Sequence, residues 1–250
     1  MAGPIMTKEL SPLDDVLGAL GESASRPMER AIGLPPMLYW REDVAALEAE
    51  RIFRQDWVCA GLAAELRDAG DYLTFSIAGE PIFCVRDQAG AIRTFSNVCR
   101  HRMMRLVDGH GRARRIVCPY HAWTYDLGGR LIGAPHMKES SVFDRTEICL
   151  PEIRTEVWQG WIYVTMNAAA KPLQELLAPL EMVVGRYGMA GYVPVLHQDH
   201  VLQTNWKLLT ENFIGGLSPL PVAHKATVGL VSGRGGPTRG LGNIHTTGPL

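Results

Sequence analysis

The sequence predicts an α+β protein in which a small antiparallel β domain is followed by a region that mixes helices and strands. Apolar residues recur at helical spacing in 42–54, as an amphipathic helix requires. Between Trp57 and Ile132 the period changes to two, in short runs separated by turn residues that are typical of antiparallel strands. The later predicted elements are, in chain order, a strand at 157–166, a helix at 172–187, a strand at 193–203 and a helix at 206–213.

Seven short apolar runs predict the strands of the β domain. In 73–77 a Leu, a Phe and an Ile alternate with Thr and Ser, so one face of that strand is apolar and the other polar. The seven runs are 57–62, 72–78, 81–86, 91–97, 115–118, 123–127 and 130–133.

Proline and glycine mark the boundaries outside the β domain. Pro172 suits a helix start and Gly188 a helix stop, whereas Pro179 has no N–H to donate and is predicted to split that helix in two. Residues 1–40 contain Ser, Pro and Gly clusters and predict an N-terminal arm with no domain of its own. The Gly-rich segment 229–250 has no acidic or aromatic residue, so we expect a disordered or aberrant tail.

Composition bounds the class of protein. The chain has 250 residues, 46% of them hydrophobic, which is enough to bury a core. Its net charge of -1 excludes a general attraction to nucleic acid or anionic lipid. No apolar stretch approaches the roughly 20 residues of a membrane span, and the N-terminus lacks the apolar core of a secretory signal. We therefore expect a soluble cytoplasmic protein.

The five cysteines are an odd number in a chain long enough to fold without disulfides, so metal or redox roles are the more informative hypotheses. Cys59 and Cys84 lie in apolar strand runs and are interpreted as small buried hydrophobic residues. The remaining three are Cys99, Cys118 and Cys149.

Two short motifs each contain a cysteine and a histidine. Cys99 and His101 form the first pair, and Cys118 and His121 form the second, with sixteen residues between the two pairs. In an extended segment, the one intervening residue separates the Cα atoms of the first pair by about 6.6 Å, a distance that suits two metal ions better than one. If each pair sends its Cys to one iron and its His to the other, the four residues hold a [2Fe-2S] cluster of the Rieske type.

A zinc site is the alternative for the same four residues, because two cysteines and two histidines are also a common zinc ligand set. Zinc ligand pairs normally have two or more residues between the ligands, whereas Cys99 and His101 have one. The spacing therefore favours the iron–sulfur cluster.

The segments 97–102 (Asn-Val-Cys-Arg-His-Arg) and 118–126 (Cys-Pro-Tyr-His-Ala-Trp-Thr-Tyr-Asp) resemble the Rieske domain of the α subunits of Rieske non-haem iron oxygenases. This family contains ring-hydroxylating and N-demethylating enzymes. Gly-Gly-Arg-Leu from Gly128 continues the resemblance. Met103 and Ala122 depart from the family pattern, which usually has Gly in both places.

The resemblance extends from about Leu38 to His224 and implies three parts. These are an N-terminal arm at 1–40, a Rieske [2Fe-2S] domain with a leading helix at 41–155, and the start of an α+β helix-grip catalytic domain at 156–250. The implied cluster ligands are Cys99 and Cys118 on one iron and His101 and His121 on the other.

The resemblance also implies a mononuclear Fe(II) held by two histidines and a carboxylate, which leaves positions open for O2. Asn-Trp-Lys at 205–207 and Glu-Asn-Phe at 211–213 match the family's motif, and His224 matches the second histidine ligand. Asn212 would lie near that iron as a candidate catalytic residue. Where the family has an acidic residue, a Tyr and the first histidine ligand, 214–219 reads Ile-Gly-Gly-Leu-Ser-Pro.

This departure removes one iron ligand and the acidic residue that, in the family, bridges the Rieske histidine of one subunit to the iron histidine of its neighbour. The carboxylate ligand would lie beyond Leu250, so we expect an absent or weakly bound mononuclear iron and a chain that is inactive as written. One G inserted into ATC GAG GCC TAT CAC (Ile-Glu-Ala-Tyr-His) yields Ile-Gly-Gly-Leu-Ser. We hypothesise a local frameshift, which sequencing of the source DNA tests.

A complete protein of this family would be the terminal oxygenase of a multicomponent system, with a ferredoxin or flavin reductase as electron donor and a small-molecule substrate. Electrons would pass from NAD(P)H to the cluster and then to Fe(II), which activates O2 for hydroxylation or oxidative demethylation, in a homotrimer or an α3β3 hexamer. Similarity to betaine-type members favours N-demethylation. The alternative is a catalytically incomplete Rieske electron-transfer protein, which the missing iron ligands favour.

Six arginines lie between residues 100 and 115, and they indicate either a solvated charged loop or a positive surface that docks an acidic electron donor. They are Arg100, Arg102, Arg105, Arg112, Arg114 and Arg115.

The other histidines have plainer interpretations. His197 and His200 lie at odd spacing on a predicted strand and would face opposite sides. His110 and His136 are predicted in loops, and His245 lies in the Gly-rich tail.

Overall fold

A computed structural model of the chain describes residues 12–137, 139–196 and 200–214. Residues 213 and 214 are described by their backbone only. The chain divides into one unit of 49–195 and a second that combines 1–48 with 196–250. No helix in the described ranges is long and apolar enough to cross a membrane.

The unit of 49–195 is built on two antiparallel sheets. Its strands are β1 (Val58–Leu62), β2 (Asp71–Ile77), β3 (Glu80–Arg86), β4 (Ile92–Ser96), β5 (His110–Arg112), β6 (Ile116–Val117), β7 (Thr124–Tyr125), β8 (Leu131–Gly133), β9 (Glu152–Trp158) and β10 (Trp161–Thr165). The larger sheet has the order β1-β10-β9-β4-β3-β2-β5, and the smaller one β6-β7-β8. Each of the seven predicted runs contains a strand, so the predicted α+β class with an antiparallel β domain is confirmed.

Strand β3 is buried on both faces and joins two apolar clusters. Phe83 and Val85 pack with residues of the smaller sheet, whereas Ile82 and Cys84 pack on the opposite side with residues of β1, β2 and β10. This two-sided burial explains why the run is continuously apolar instead of alternating. It also places the first cluster between the two sheets, where Cys99 is one of its buried members.

The single strand predicted at 157–166 is wrong, because the turn of the β9–β10 hairpin interrupts it. Trp158 pairs with Trp161, and the two residues between them have positive φ angles, 49° at Gln159 and 82° at Gly160. A two-residue loop with both φ positive matches the twist of the flanking strands, and glycine adopts such a φ without steric cost. The Gln-Gly pair was the sequence signal for this turn.

Two further features of the large sheet differ from the prediction. His110 begins β5, opposite Leu73 of β2, and so lies in a strand instead of a loop. The predicted domain boundary between 155 and 156 falls inside β9, which pairs with β4 on one side and β10 on the other. The sheet of the first predicted domain therefore continues past that boundary to Thr165.

After the sheets, helix α3 spans Leu173–Val184 and runs through Pro179 without a break, so the predicted split is wrong. It begins after Pro172, as predicted, and ends at Val184. A 3-10 turn at Gly185–Tyr187 then leads to Gly188, the predicted stop, which has a left-handed φ of 58° that glycine tolerates. The strand predicted at 193–203 is also wrong for its described residues, which are irregular at 193–196 and 200–203.

The second unit contains α1 (Leu13–Ala24), α2 (Glu42–Glu48) and α4 (Trp206–Ile214). Helix α1 lies in the segment that was predicted to be only an arm, and its Val16 is fully buried with Leu38 and Val44. The helices predicted at 42–54 and 206–213 are confirmed, the first of them continuing beyond Glu48 as a π-helical turn at Ala49–Phe53.

The Asn-Trp-Lys motif at 205–207 attaches α4 to α2. The Asn205 side chain accepts a hydrogen bond from the Lys207 backbone N–H (3.0 Å) and so caps the helix. The Glu48 carboxylate accepts from Trp206 Nε1 (2.9 Å) and from Lys207 Nζ (2.6 Å). The side chains of Glu48 and Lys207 are only 12% and 11% exposed. The motif therefore builds a nearly buried ion pair between two helices of one unit.

We expect Lys207→Met to lower the free energy of unfolding by about 3 kcal/mol, because it leaves the Glu48 carboxylate buried without its cation. Glu48→Gln in the same chain should recover most of that loss, since a neutral amide oxygen still accepts from Trp206. Urea unfolding of the single and double variants measures both values. A double variant as unstable as Lys207→Met alone would contradict this account of the pair.

Candidate metal centre

The two Cys/His motifs form two loops with the same backbone pattern. In the first, the Cys99 C=O accepts from the Met103 N–H (3.1 Å) and the Cys99 N–H donates to Met104 (2.8 Å). In the second, the Cys118 C=O accepts from the Ala122 N–H (3.0 Å) and the Cys118 N–H donates to Trp123 (2.7 Å). The first motif is thus a closed turn and not the extended segment expected from its sequence, because these i→i+4 bonds curl the chain around each cysteine.

The fourth residue after each cysteine has a left-handed backbone. Met103 and Ala122 both have φ near 55°. In this region a Cβ atom crowds the following carbonyl, which is why glycine is favoured there. The repeated turn therefore gives a physical reason for the glycine that the family pattern has at these two positions.

The two thiols lie side by side in the apolar cluster between the sheets. Cys99 is fully buried and Cys118 is 3% exposed. Burial raises the pKa of the Cys99 thiol, the Tyr125 hydroxyl opposes that rise, and the neighbouring Cys118 adds to it. Two adjacent thiolates in an apolar pocket repel one another, and a bound metal cation is the usual compensation in proteins.

The two imidazoles face one another beside the thiols. The ring centroids of His101 and His121 are 4.8 Å apart in an edge-to-face arrangement. Burial lowers the pKa of His101, and the neighbouring His121 and Arg102 lower it further, so its ring is held in the neutral form that binds metals. The Nδ1 atoms of both histidines are buried and make no hydrogen bond within the described part of the chain.

A pair of thiols and a pair of buried, unpartnered imidazole nitrogens fit a two-iron group. Leaving a buried polar atom unpaired costs about 1–3 kcal/mol, and a metal bond to Nδ1 removes that cost. Over residues 12–137, 139–196 and 200–214, no three His, Cys, Asp or Glu side chains converge on a point that would hold a single ion. A lone zinc ion needs four ligands about one point. The arrangement therefore fits two iron atoms, one at each pair, better than one zinc ion.

Buried polar side chains that the sequence analysis did not single out hold the first loop. Asn97 is 2% exposed, its Nδ2 donates to Val107 (2.8 Å), and its Oδ1 accepts from the backbone N–H groups of Leu106 and Val107. The Tyr125 hydroxyl accepts from the Arg100 N–H (3.1 Å) and lies 3.4 Å from Cys99 Sγ. Since its oxygen is engaged as an acceptor, its proton is free to point at the sulfur.

Comparison with known proteins identifies the domain that contains the two loops. A sequence profile of the Rieske [2Fe-2S] domain matches residues 56–153. The chain contains a Rieske domain. Such a domain carries a [2Fe-2S] cluster. Beyond it, the chain is homologous to the α subunits of Rieske oxygenases, which include monooxygenases and dioxygenases.

Two curated relatives illustrate the homology. The glycine betaine monooxygenase oxygenase subunit of Chromohalobacter salexigens is 35% identical over 207 residues, which are 81% of this chain and 46% of the relative. The chloroplastic choline monooxygenase of Arabidopsis thaliana is 31% identical over 83% of this chain and 51% of its own length. The chain thus spans about half the length of the curated relatives it matches.

Solved structures have the same fold. The quaternary ammonium Rieske monooxygenase CntA in complex with L-carnitine superposes with a TM-score of 0.71 at 28% identity, over 78% of this chain and 56% of that one. Naphthalene 1,2-dioxygenase from Rhodococcus sp. bound to indole superposes with a TM-score of 0.75 at 27% identity, over 87% of this chain and 50% of the other.

The six arginines between residues 100 and 115 separate into paired and unpaired groups. All six are exposed. Arg112 is bound by the carboxylates of Asp68 and Asp71, and Arg105 lies 3.6 Å from Asp108. The other four have no carboxylate partner within the described residues; they are Arg100, Arg102, Arg114 and Arg115.

The remaining predicted site residues are less informative. Asn212 is exposed on α4, and His224, like His197 and His245, lies outside the described residues. His200 is exposed outside any strand, and His136 lies in a turn as predicted.

Cys59 and Cys84 are both predicted to be small buried hydrophobic residues, but the structure buries only one of them. Cys84 is buried, as predicted. Cys59 is exposed, because it lies on the face of the edge strand β1 opposite to Val58 and Ala60, which pack in the core.

We expect Met103→Gly and Ala122→Gly each to raise the free energy of unfolding by about 0.5–1 kcal/mol, because glycine relieves the left-handed strain at a smaller cost in chain entropy. Ala91→Gly is the matched control, an exposed alanine outside the left-handed region, and it should destabilise. Urea unfolding of the three variants measures the differences. Loss of stability in both loop variants would refute the argument from φ.

Proposed function

We propose that Cys99 and Cys118 hold one iron of a [2Fe-2S] cluster and that His101 and His121 hold the other through Nδ1. The observation that carries this assignment is the pair of buried, unpartnered Nδ1 atoms beside two adjacent buried thiols. When bound, the cluster would take up and release one electron at a time. Its two neutral imidazoles in place of thiolates favour reduction.

The surrounding residues prepare this site for a change of charge. An added electron raises the negative charge beside the sulfur atoms, and groups that donate hydrogen bonds to sulfur stabilise it. The Tyr125 hydroxyl, 3.4 Å from Cys99 Sγ, is one such group, and the Arg100 N–H fixes its orientation. The apolar cluster around the cysteines excludes water, which strengthens each of these interactions.

At the level of the whole protein, we propose that this chain represents the terminal oxygenase component of a multicomponent Rieske oxygenase. The homology to glycine betaine, choline and carnitine monooxygenases supports a small quaternary ammonium substrate and oxidative demethylation or hydroxylation. The report of inter-subunit electron transfer in a quaternary ammonium Rieske monooxygenase supports a ring of subunits, a homotrimer or an α3β3 hexamer. We also propose a cytoplasmic location.

A second candidate function follows from 214–219, where the expected iron histidine is missing. A chain with an intact [2Fe-2S] site and no mononuclear iron would carry electrons without activating O2. Product formation from glycine betaine, O2 and a reduced donor separates the two functions, since only the oxygenase consumes the substrate.

We also propose that the electron donor, a ferredoxin or a flavin reductase, docks at the tip of the two loops. Met103 is 71% exposed there and Tyr120 is 56% exposed, and two of the four unpaired arginines, Arg100 and Arg102, belong to the first loop. Positive charge around an electron-transfer site speeds the encounter with an acidic donor. This supports docking over the alternative of a merely solvated loop.

We expect anaerobically purified protein to contain about two irons and two sulfides per chain, little zinc, and a Rieske EPR signal after reduction. Cys118→Ser should abolish the signal, whereas Cys149→Ser, an exposed cysteine outside both loops, should retain it. Zinc in place of iron would overturn the cluster assignment. About three irons would show that the chain finds ligands for a mononuclear site.

Replacing Arg100, Arg102, Arg114 and Arg115 together by Gln should slow cluster reduction by a reduced, acidic plant-type ferredoxin about tenfold at low salt, because electrostatic steering is lost. Arg112→Gln is the matched control, since that arginine is already neutralised by two carboxylates. Stopped-flow absorbance at low and high salt measures the rates. Equal rates in all variants with intact clusters would remove the docking proposal.

A further inference from the structure

The two proposed histidine ligands are covered by different aromatic rings. The His101 ring lies parallel to the Trp123 indole, with centroids 4.8 Å apart and planes inclined by 6°. Trp123 is only 4% exposed and is braced by Phe143, edge-on at 5.6 Å. His121 instead stacks on Tyr120 at 3.7 Å, and Tyr120 is more than half exposed. One imidazole is therefore packed against the core and the other against a surface ring.

Trp123 also connects the two loops. Its carbonyl oxygen accepts the Cys118 N–H of the second loop (2.7 Å), and its indole packs on the histidine of the first. A histidine ring is free to rotate about its last side-chain bond, and this rotation decides where Nδ1 points. A buried flat surface parallel to the ring restricts that rotation, in the way that packed neighbours lock a ligand's rotamer.

We propose that Trp123 is the positioning residue of His101 and that its indole lowers the reduction potential of the group bound there. The proposal rests on the assignment of His101 as an iron ligand. Neither the backbone hydrogen bonds of the two loops nor the buried thiols require a flat aromatic ring at position 123. The parallel stack is what distinguishes Trp123 from the other apolar neighbours of the loops.

Two physical effects give the sign, and they act in the same direction. The electron-rich face of an indole stabilises positive charge on a ring above it, so it favours the oxidised state, in which the bound imidazole is more positive. The buried indole also excludes water, which would otherwise stabilise the more negative reduced state. Removal of the indole should therefore raise the reduction potential.

The experiment compares Trp123→Leu, Trp123→Phe and Tyr120→Leu in the cluster-loaded protein. The readouts are iron and sulfide per chain, the g values of the reduced EPR signal, the nitrogen hyperfine couplings and the midpoint potential. We expect Trp123→Leu to raise the potential and change the nitrogen couplings. Trp123→Phe keeps a flat ring with a weaker quadrupole, so it should restore the couplings and leave a smaller rise in potential. Tyr120→Leu removes a ring that water already reaches and should change the potential least.

Each outcome decides the proposal. An unchanged potential and unchanged couplings in Trp123→Leu would overturn it, as would an equal shift in Tyr120→Leu. If Trp123→Leu loads no cluster, the Phe variant decides, and a wild-type potential in that variant overturns the proposal. A wild-type protein without a Rieske signal would instead refute the cluster assignment, so failure of the proposed function is distinguished from failure of this inference.

Discussion

The burial of two adjacent thiols in an apolar cluster is the constraint on which this structure depends. As thiolates without a cation, Cys99 and Cys118 would repel one another where no water screens them. The two loops curl identically, so that backbone hydrogen bonds on each side of the cysteines are made within the loop. Among the described residues of the two loops, one buried nitrogen on each histidine remains unpaired. The loops therefore pair their backbone groups around the cysteines and leave open the two atoms that a metal group would take.

The two sheets hold the two Cys/His loops together. The first loop follows β4 of the large sheet, and the second connects β6 and β7 of the small one. Strand β3, apolar on both faces, joins the core between the sheets to the core behind the large sheet. Tyr125 of β7 reaches across to the first loop, and Asn97 fixes that loop at its base. Residues of both sheets thus hold the two thiols and the two imidazoles close to one another.

The Asn-Trp-Lys motif at 205–207 has a structural role in this chain. In the family pattern it precedes the mononuclear iron ligands. In this chain its Asn caps α4, and its Trp and Lys bind the carboxylate of Glu48 on α2. The motif therefore anchors α4 to α2. Such an anchor does not depend on whether a metal site follows.

The sequence predicted secondary-structure elements and candidate metal ligands wherever a short-range pattern determines them. Short apolar runs between turn residues predicted the seven strands, helical spacing predicted α2, and the Cys/His spacing pointed to the four residues that the fold brings together. The β9–β10 hairpin was missed because apolar residues flank the two-residue Gln-Gly turn closely on both sides, so the segment resembles one strand. The closed turn at Cys99, the exposure of Cys59 on an edge strand, and the roles of Asn97, Tyr125 and Trp123 were decided only by tertiary structure. The turn at Cys99 is closed by bonds within its own loop, which periodicity does not reveal. Each of the other features depends on a residue elsewhere in the chain, and single-sequence periodicity carries no information about which segments will meet.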